Sequence, residues 1–206
     1  MPRKSRKKID QPATLYHVVC RGNNQRKIFR HPRDYKKFLR ILKETKEKYP
    51  FYLYTVSLIP NHYHLEIETR EPSLSKILHQ INTSYVKYFN RRYNCSGHLF
   101  QDRFYCSVVD KENYFWELAR YIDLNALKAN LVKKIEDYRW SSFRVYAKIK
   151  NEFLEGLIDK ERFLQYWGER GDIEKARKNY LQFVRDGIEI IKRKKEPCFI
   201  SDKKFV

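Results

Sequence analysis

Two histidines, a tyrosine and an asparagine are the residues whose types and spacing could do chemistry in this chain. His62 and His64 lie in the stretch Leu58-Ile59-Pro60-Asn61-His62-Tyr63-His64-Leu65-Glu66-Ile67. Pro60-Asn61 is turn chemistry, and the alternation after it predicts a strand. Strand side chains alternate faces, so the two imidazoles point the same way. Such a pair supplies half of a divalent-metal site, and it equally suits two ordinary histidines on a polar sheet face. Tyr121 and Asn125, four residues apart, share one face of an expected helix. The tyrosine hydroxyl is either a nucleophile or the tip of a packing ring. Asn125 is either an amide donor or a helix end.

The elements that must position these residues follow from patterning. A first strand is expected over 14–20. A helix follows over 34–48, with Asp34 at its N-cap and Tyr35, Phe38, Leu39, Leu42 and Thr45 on one face. Tyr49-Pro50 ends it. A second strand over 51–58 puts Tyr54 and Val56 on one face and Leu53, Thr55 and Ser57 on the other. The third, over 63–69, sets His62, His64, Glu66 and Glu68 against Tyr63, Leu65 and Ile67. Ser73 caps a long helix to about residue 91, with Leu74, Ile77, Leu78, Ile81, Tyr85, Tyr88 and Phe89 in register. A fourth strand is expected over 104–109. A third helix, over 111–124 and capped by Asp110, carries Tyr121, with Tyr114 and Leu118 on the same stripe. The order β-α-β-β-α-β followed by α predicts an α+β, ferredoxin-like antiparallel sheet with two helices on one face. The added helix is expected against the other face, where the histidines lie. Trp140-Ser141-Ser142-Phe143 reads as a turn anchored in the main body. The domain reading is a basic flexible arm at 1–11, a main domain at 12–150, and a charged helical C-terminal appendage at 151–206 with segments near 160–167 and 173–192.

The charge points to a polyanion. Forty-four Lys and Arg against 25 Asp and Glu give a formal charge of +19, which favours nucleic acid as a partner, although acidic membranes are attracted too. Arg3, Lys4, Arg6, Lys7 and Lys8 make one basic cluster and Lys192-Arg193-Lys194-Lys195 another. Aromatics are 16% of residues; most are expected to pack, and others can stack on unpaired bases. Cys20, Cys95, Cys106 and Cys198 form no CxxC pair, which argues against a zinc knuckle and for free thiols in a reducing cytoplasm. No run reaches transmembrane length, and the first residues lack a signal-peptide core.

Three motifs occur in order: Asn61-His62-Tyr63-His64, then Ser96-Gly97-His98-Leu99-Phe100-Gln101-Asp102-Arg103-Phe104, then Tyr121-Ile122-Asp123-Leu124-Asn125. Together they resemble the single-tyrosine transposases of the HUH endonuclease superfamily, in particular the branch of REP-associated tyrosine transposases. The resemblance spans roughly 12–147. It implies a ferredoxin-like nuclease core that cuts single-stranded DNA beside a hairpin and rejoins it, in a transposase or a domesticated relative. It implies that His62, His64 and Asn125 hold Mg2+ or Mn2+, and that Tyr121 attacks phosphorus and keeps the 5′ phosphate. DNA contacts are expected from Arg21, Arg26, Lys27, Arg91, Arg92, Arg103 and His98. Glu66 shares the histidine face and is the nearest candidate base for Tyr121, a solvated sheet carboxylate being the plainer reading. His17 and His79 read as structural, and His31 as a loop residue before Pro32. One departure is Asn125-Ala126 where the family often has Asn-Pro; it lets the helix run toward Leu131 and removes no catalytic group. A non-catalytic DNA- or RNA-binding module is the main alternative, and a zinc hydrolase on the two histidines a weaker one. Homodimerisation, and whether Tyr121 serves its own or a partner's metal site, stay open.

Overall fold

The hairpin through Pro60-Asn61 sets the sheet. In the computed structural model, which describes residues 11–71, 73–166 and 172–194, β1 (Leu15–Arg21), β2 (Phe51–Ile59), β3 (His62–Thr69) and β4 (Tyr105–Val108) form one sheet in the order β2-β3-β1-β4. All neighbours are antiparallel. α1 (Pro32–Lys48) and α2 (Leu74–Tyr93) complete the β-α-β-β-α-β order, so the expected α+β, ferredoxin-like topology is present. The arm 1–10, Cys198 and the side chains of the Lys192–Lys195 cluster lie outside the described residues.

α1 and α2 cover one face. Their apolar stripes meet Tyr63, Leu65 and Ile67 of β3 and Tyr16 and Val18 of β1, all buried. Phe38 lies 4.7 Å from Tyr63 and 5.2 Å from Tyr85, ring centre to ring centre, and removal of this apolar area from water drives the layer together.

Asp34 is not the N-cap. The helix starts at Pro32, which needs no N–H partner and has its φ preset, and His31 is the cap, its Nδ1 accepting from the Arg33 N–H. Asp34 sits one turn in and is fully buried. Its carboxylate accepts from the N–H groups of Arg30 and His31 at 2.9 Å and from the hydroxyls of Tyr88 (2.9 Å) and Tyr93 (2.6 Å). The start of α1 is thereby tied to the end of α2.

The alternation expected in β2 fails at one residue. Leu53 pairs with Ile67 and Thr55 with Glu66, so Tyr54 is an extra residue in a bulge. Leu53 therefore joins Val56 on the α1–α2 face. Tyr54 turns to the far face, edge-on to Phe115 at 5.1 Å, with its hydroxyl donating to Glu68.

α3 (Phe115–Asp123) begins later than expected. Asp110 accepts from the Glu112 N–H at 2.9 Å and the Asn113 amide at 2.7 Å, and this local capture keeps 111–114 as turns. α3 passes into the short α4 (Asn125–Lys128) with helical bonding carried through Leu124. Without proline after Asn125 nothing stops the backbone there.

α3 lies across the histidine face with α5 (Phe143–Tyr146), α6 (Lys160–Gln165) and α7 (Ile173–Lys194). The Trp140–Ser142 stretch docks along β2, the Leu58 N–H reaching the Trp140 carbonyl at 3.0 Å and the Ser142 N–H the Val56 carbonyl at 2.9 Å. Within 151–206, Leu154, Leu157, Phe163, Tyr180 and Val184 are buried in the same cluster as the sheet, because the far face of the sheet must be covered too.

Asp34→Ala strands two tyrosine hydroxyls and two N–H groups. It is expected to destabilise the fold by about 3 kcal/mol in denaturant unfolding; a loss under about 1 kcal/mol would refute the tie.

Candidate active site

The far face of β3 is polar and closed off. His64, Glu66 and Glu68 are buried under α3 and its neighbours, and His62 is half-buried at the strand's start. In the register, Arg21 stands opposite His62, Val19 opposite His64 and His17 opposite Glu66. The His62 and His64 rings are 4.9 Å apart. His17 Nε2 lies 2.9 Å from His64 Nδ1, the two rings stacked at 5.2 Å and 10°. α3 brings Tyr121 edge-on to both, 5.8 Å from His17 and 5.7 Å from His64. Lys128 sets its ammonium 4.5 Å from the Tyr121 ring centre.

The protonation pattern follows from burial. Burial, and then the charges of His17, His62, Arg21 and Lys128, hold the His64 imidazole well below its usual range. It is therefore neutral with a lone pair available. The His62 Nδ1–H donates to the Asn61 side-chain oxygen at 2.7 Å, which fixes that ring. His64 Nε2 and the Asn125 amide nitrogen are buried with no hydrogen-bond partner. Buried polar atoms rarely stay so. Two imidazole nitrogens and an amide oxygen suit a hard or borderline divalent ion that keeps several waters. Among the described residues no three His, Cys, Asp or Glu side chains are placed to hold a metal.

Glu66 is not a solvated carboxylate. It is fully buried, accepts from the Thr55 hydroxyl at 2.8 Å, and leaves its other oxygen without a partner. Burial raises its carboxyl well above the usual range. That shift disfavours the charged form.

Two site neighbours went unnoticed in the sequence. His17 read as structural because nothing local says that β1 lies beside β3. Lys128 was legible: Tyr121, Asn125 and Lys128 follow helical spacing of four and three.

The basic residues sort by place. Arg21 ends β1 on the histidine face. Its carbonyl accepts from the Gln101 N–H at 3.0 Å, and Gly22 bridges to Phe100, so the Gly97–Phe104 segment is fastened beside the site. Between that segment and α2 runs a groove of about 590 Å³, lined by His79, Lys87, His98, Phe100, Arg103 and Phe104 among others. Arg26 donates to the His98 carbonyl at 3.3 Å. Lys27 and Arg91 are exposed and line no part of this groove. Arg92 lies 3.2 Å from the Asp34 carboxylate, so it belongs to the α1–α2 tie.

Asp123 fixes the tyrosine helix. Its carboxyl accepts from Ser142 and Tyr180 hydroxyls at 2.7 Å and from Ser141 at 3.1 Å. α7 crosses α3 closely at Gly187, where an added Cβ would stand 2.8 Å from side-chain carbons of Arg120 and Leu124. Burial raises the Asp123 carboxyl to about 6, with the three hydroxyls pulling against it. A raised carboxyl favours the neutral form in the fold. Its stabilisation is full below the unfolded value and lost as pH rises through about 6. Wild-type protein should lose about 3 kcal/mol more stability than Asp123→Asn between about pH 4 and pH 7. Parallel pH–stability curves for the two proteins would contradict this.

Residues 11–125 match the family model described as Transposase IS200 like. No curated protein matches the chain. A solved structure described as a REP-associated tyrosine transposase bound to a REP hairpin superposes with a TM-score of 0.56 at 18% identity, over 84% of this chain and 92% of that one. That likeness is one of fold. No described helix is long and apolar enough to cross a membrane.

Proposed function

The chain belongs to the IS200-like transposase family, and from that premise we propose that it cuts and rejoins single-stranded DNA beside a hairpin, with Tyr121 as nucleophile and a divalent metal as cofactor. The observation that carries this reading is the meeting of His62, His64 and Tyr121 on one covered sheet face, with neutral His64 keeping a bare nitrogen. A hairpin-bearing substrate is favoured because the transposase of similar fold is bound to a REP hairpin.

The Tyr121 oxygen attacks phosphorus while the bond from phosphorus to the 3′ oxygen breaks. The 3′ oxygen leaves with its electron pair and takes a proton, and the phenolic proton passes to solvent. The 5′ phosphate stays on Tyr121, so the bond energy is kept for rejoining to another 3′ end. His62, His64 and Asn125 would hold Mg2+ or Mn2+, which when bound neutralises the phosphate charge that repels a nucleophile. Arg21 and Lys128 add positive charge on the same side, and α3 sets the phenol in place before the strand arrives. The strand then runs past Arg21 onto the Gly97–Phe104 segment, where Arg103 and Lys87 meet phosphates and Phe100 and Phe104 offer faces for bases.

Labelled single strands carrying hairpins from the DNA flanking the gene are mixed with wild-type protein and Tyr121→Phe, with and without Mn2+. A covalent adduct is expected only with both the metal and the Tyr121 hydroxyl. An adduct formed by Tyr121→Phe would mean that another residue attacks. Tight, salt-sensitive binding without any adduct would favour the non-catalytic binding module. Binding should weaken steeply with salt, and a flat response would contradict the basic-surface argument.

A further inference from the structure

We propose that Lys128 is a catalytic residue: its ammonium grips a non-bridging oxygen of the scissile phosphate while Tyr121 attacks, and keeps that grip on the phosphotyrosine until the strand is rejoined. The inference deepens the proposed function and rests on Tyr121 as nucleophile. Lys128 stands seven residues after Tyr121, which is two helical turns along the same face. The backbone bears the spacing out. The Leu124 N–H donates to the Arg120 carbonyl and the Lys128 N–H to the Leu124 carbonyl, both at 3.0 Å, so α3 and α4 follow one helical path. Helical side chains lean toward the N-terminus, and the Lys128 ammonium reaches back to 4.5 Å from the Tyr121 ring centre.

A lysine on an open helix face puts its charge in water. Lys128 is half-buried, with its stem laid along the protein and its charge against the nucleophile's ring. The phenol oxygen lies on the rim of that ring. An ammonium is a compact charge with three donors on a flexible stem, so a phosphate oxygen brought to the Tyr121 oxygen comes within its reach. As the Tyr121 oxygen bonds to phosphorus and the 3′ oxygen leaves, negative charge collects on the non-bridging oxygens. Lys128 keeps its protons throughout; it supplies charge and a hydrogen bond and moves no proton. Arg21 also faces the histidines, and both cations act on the His64 imidazole. They differ in anchorage. Arg21 ends β1 and stays with the sheet. Lys128 shares a helical path with Tyr121, so it stays with the phosphotyrosine after the 3′ end departs.

A grip on phosphate depends on the phosphate's charge, and packing on a ring does not. The test uses full-length protein with Met or Arg at position 128. Met keeps a stem against the ring and carries no charge; Arg keeps the charge. The first readout is the rate of covalent adduct formation with Mn2+ on labelled hairpin strands from the DNA flanking the gene. Each strand carries an ordinary phosphate or an uncharged methylphosphonate at the position that wild type cuts. On the phosphate strand Lys128→Met should be about 100-fold slower than wild type, and Lys128→Arg within about tenfold of it. On the methylphosphonate strand the Lys128→Met deficit should shrink to about tenfold or less. A Lys128→Met protein as fast as wild type overturns the inference. So does an equal deficit on both strands, which would mean that Lys128 only packs the ring. The second readout is binding of the uncut strand in the Tyr121→Phe background, without metal, over a range of salt. Lys128→Met should flatten the slope of log affinity against log salt by about 0.7, one single-strand phosphate contact; an unchanged slope overturns the inference. If wild type forms no adduct, the nuclease reading and the catalytic role fall together, and the salt slope alone decides whether Lys128 meets a phosphate. If Lys128→Met does not fold, Lys128→Gln replaces it in both readouts.

Discussion

A single buried carboxyl holds the site together. Asp123 receives hydroxyls from Ser141 and Ser142, docked beside β2, and from Tyr180 on α7. It lies between Tyr121 and Asn125 in the chain and points to the opposite side of the helix. Pinning Asp123 therefore presses the Tyr121–Asn125 face onto the sheet. Burying an acid is costly, and three donors offset much of that cost. The C-terminal helices exist in this fold partly to supply one of them and to close the layer, with Gly187 letting α7 approach α3 without a side chain between.

The same closure explains the chemistry of the sheet's two faces. One is apolar and packs on α1 and α2. The other carries His17, Thr55, Ser57, His64, Glu66 and Glu68, all buried. Shielded from water, His64 and Glu66 are both shifted toward their uncharged forms. Several polar atoms on this face lack partners. An aromatic wall of Tyr54, Phe115, Tyr146, Phe163 and Tyr180 surrounds it and gives the rigidity that the polar groups cannot.

The basic surface has a matching division of labour. Arg21 faces the histidines, Arg103 and His98 line the α2 groove, and Arg92 helps join two helices. Charge alone could not separate these roles, since each residue is an equally plain cation in the chain.

The residues alone determined the order of elements, the shared face of His62 and His64, the shared face of Tyr121 and Asn125, and the place of the chain in its family. These depend on periods of two and 3.6 residues and on local turn chemistry, which act over a few positions. Where local rules compete, the sequence misled: Pro32 took the helix start from Asp34, a bulge turned Tyr54 over, and Asp110 kept its turn. Tertiary structure alone decided that His17 stands against His64, that Glu66 is sealed from water, and that Asp123 anchors the tyrosine helix to Tyr180. Each depends on which strands and helices become neighbours, and on the water their packing removes, and no short stretch of sequence contains that.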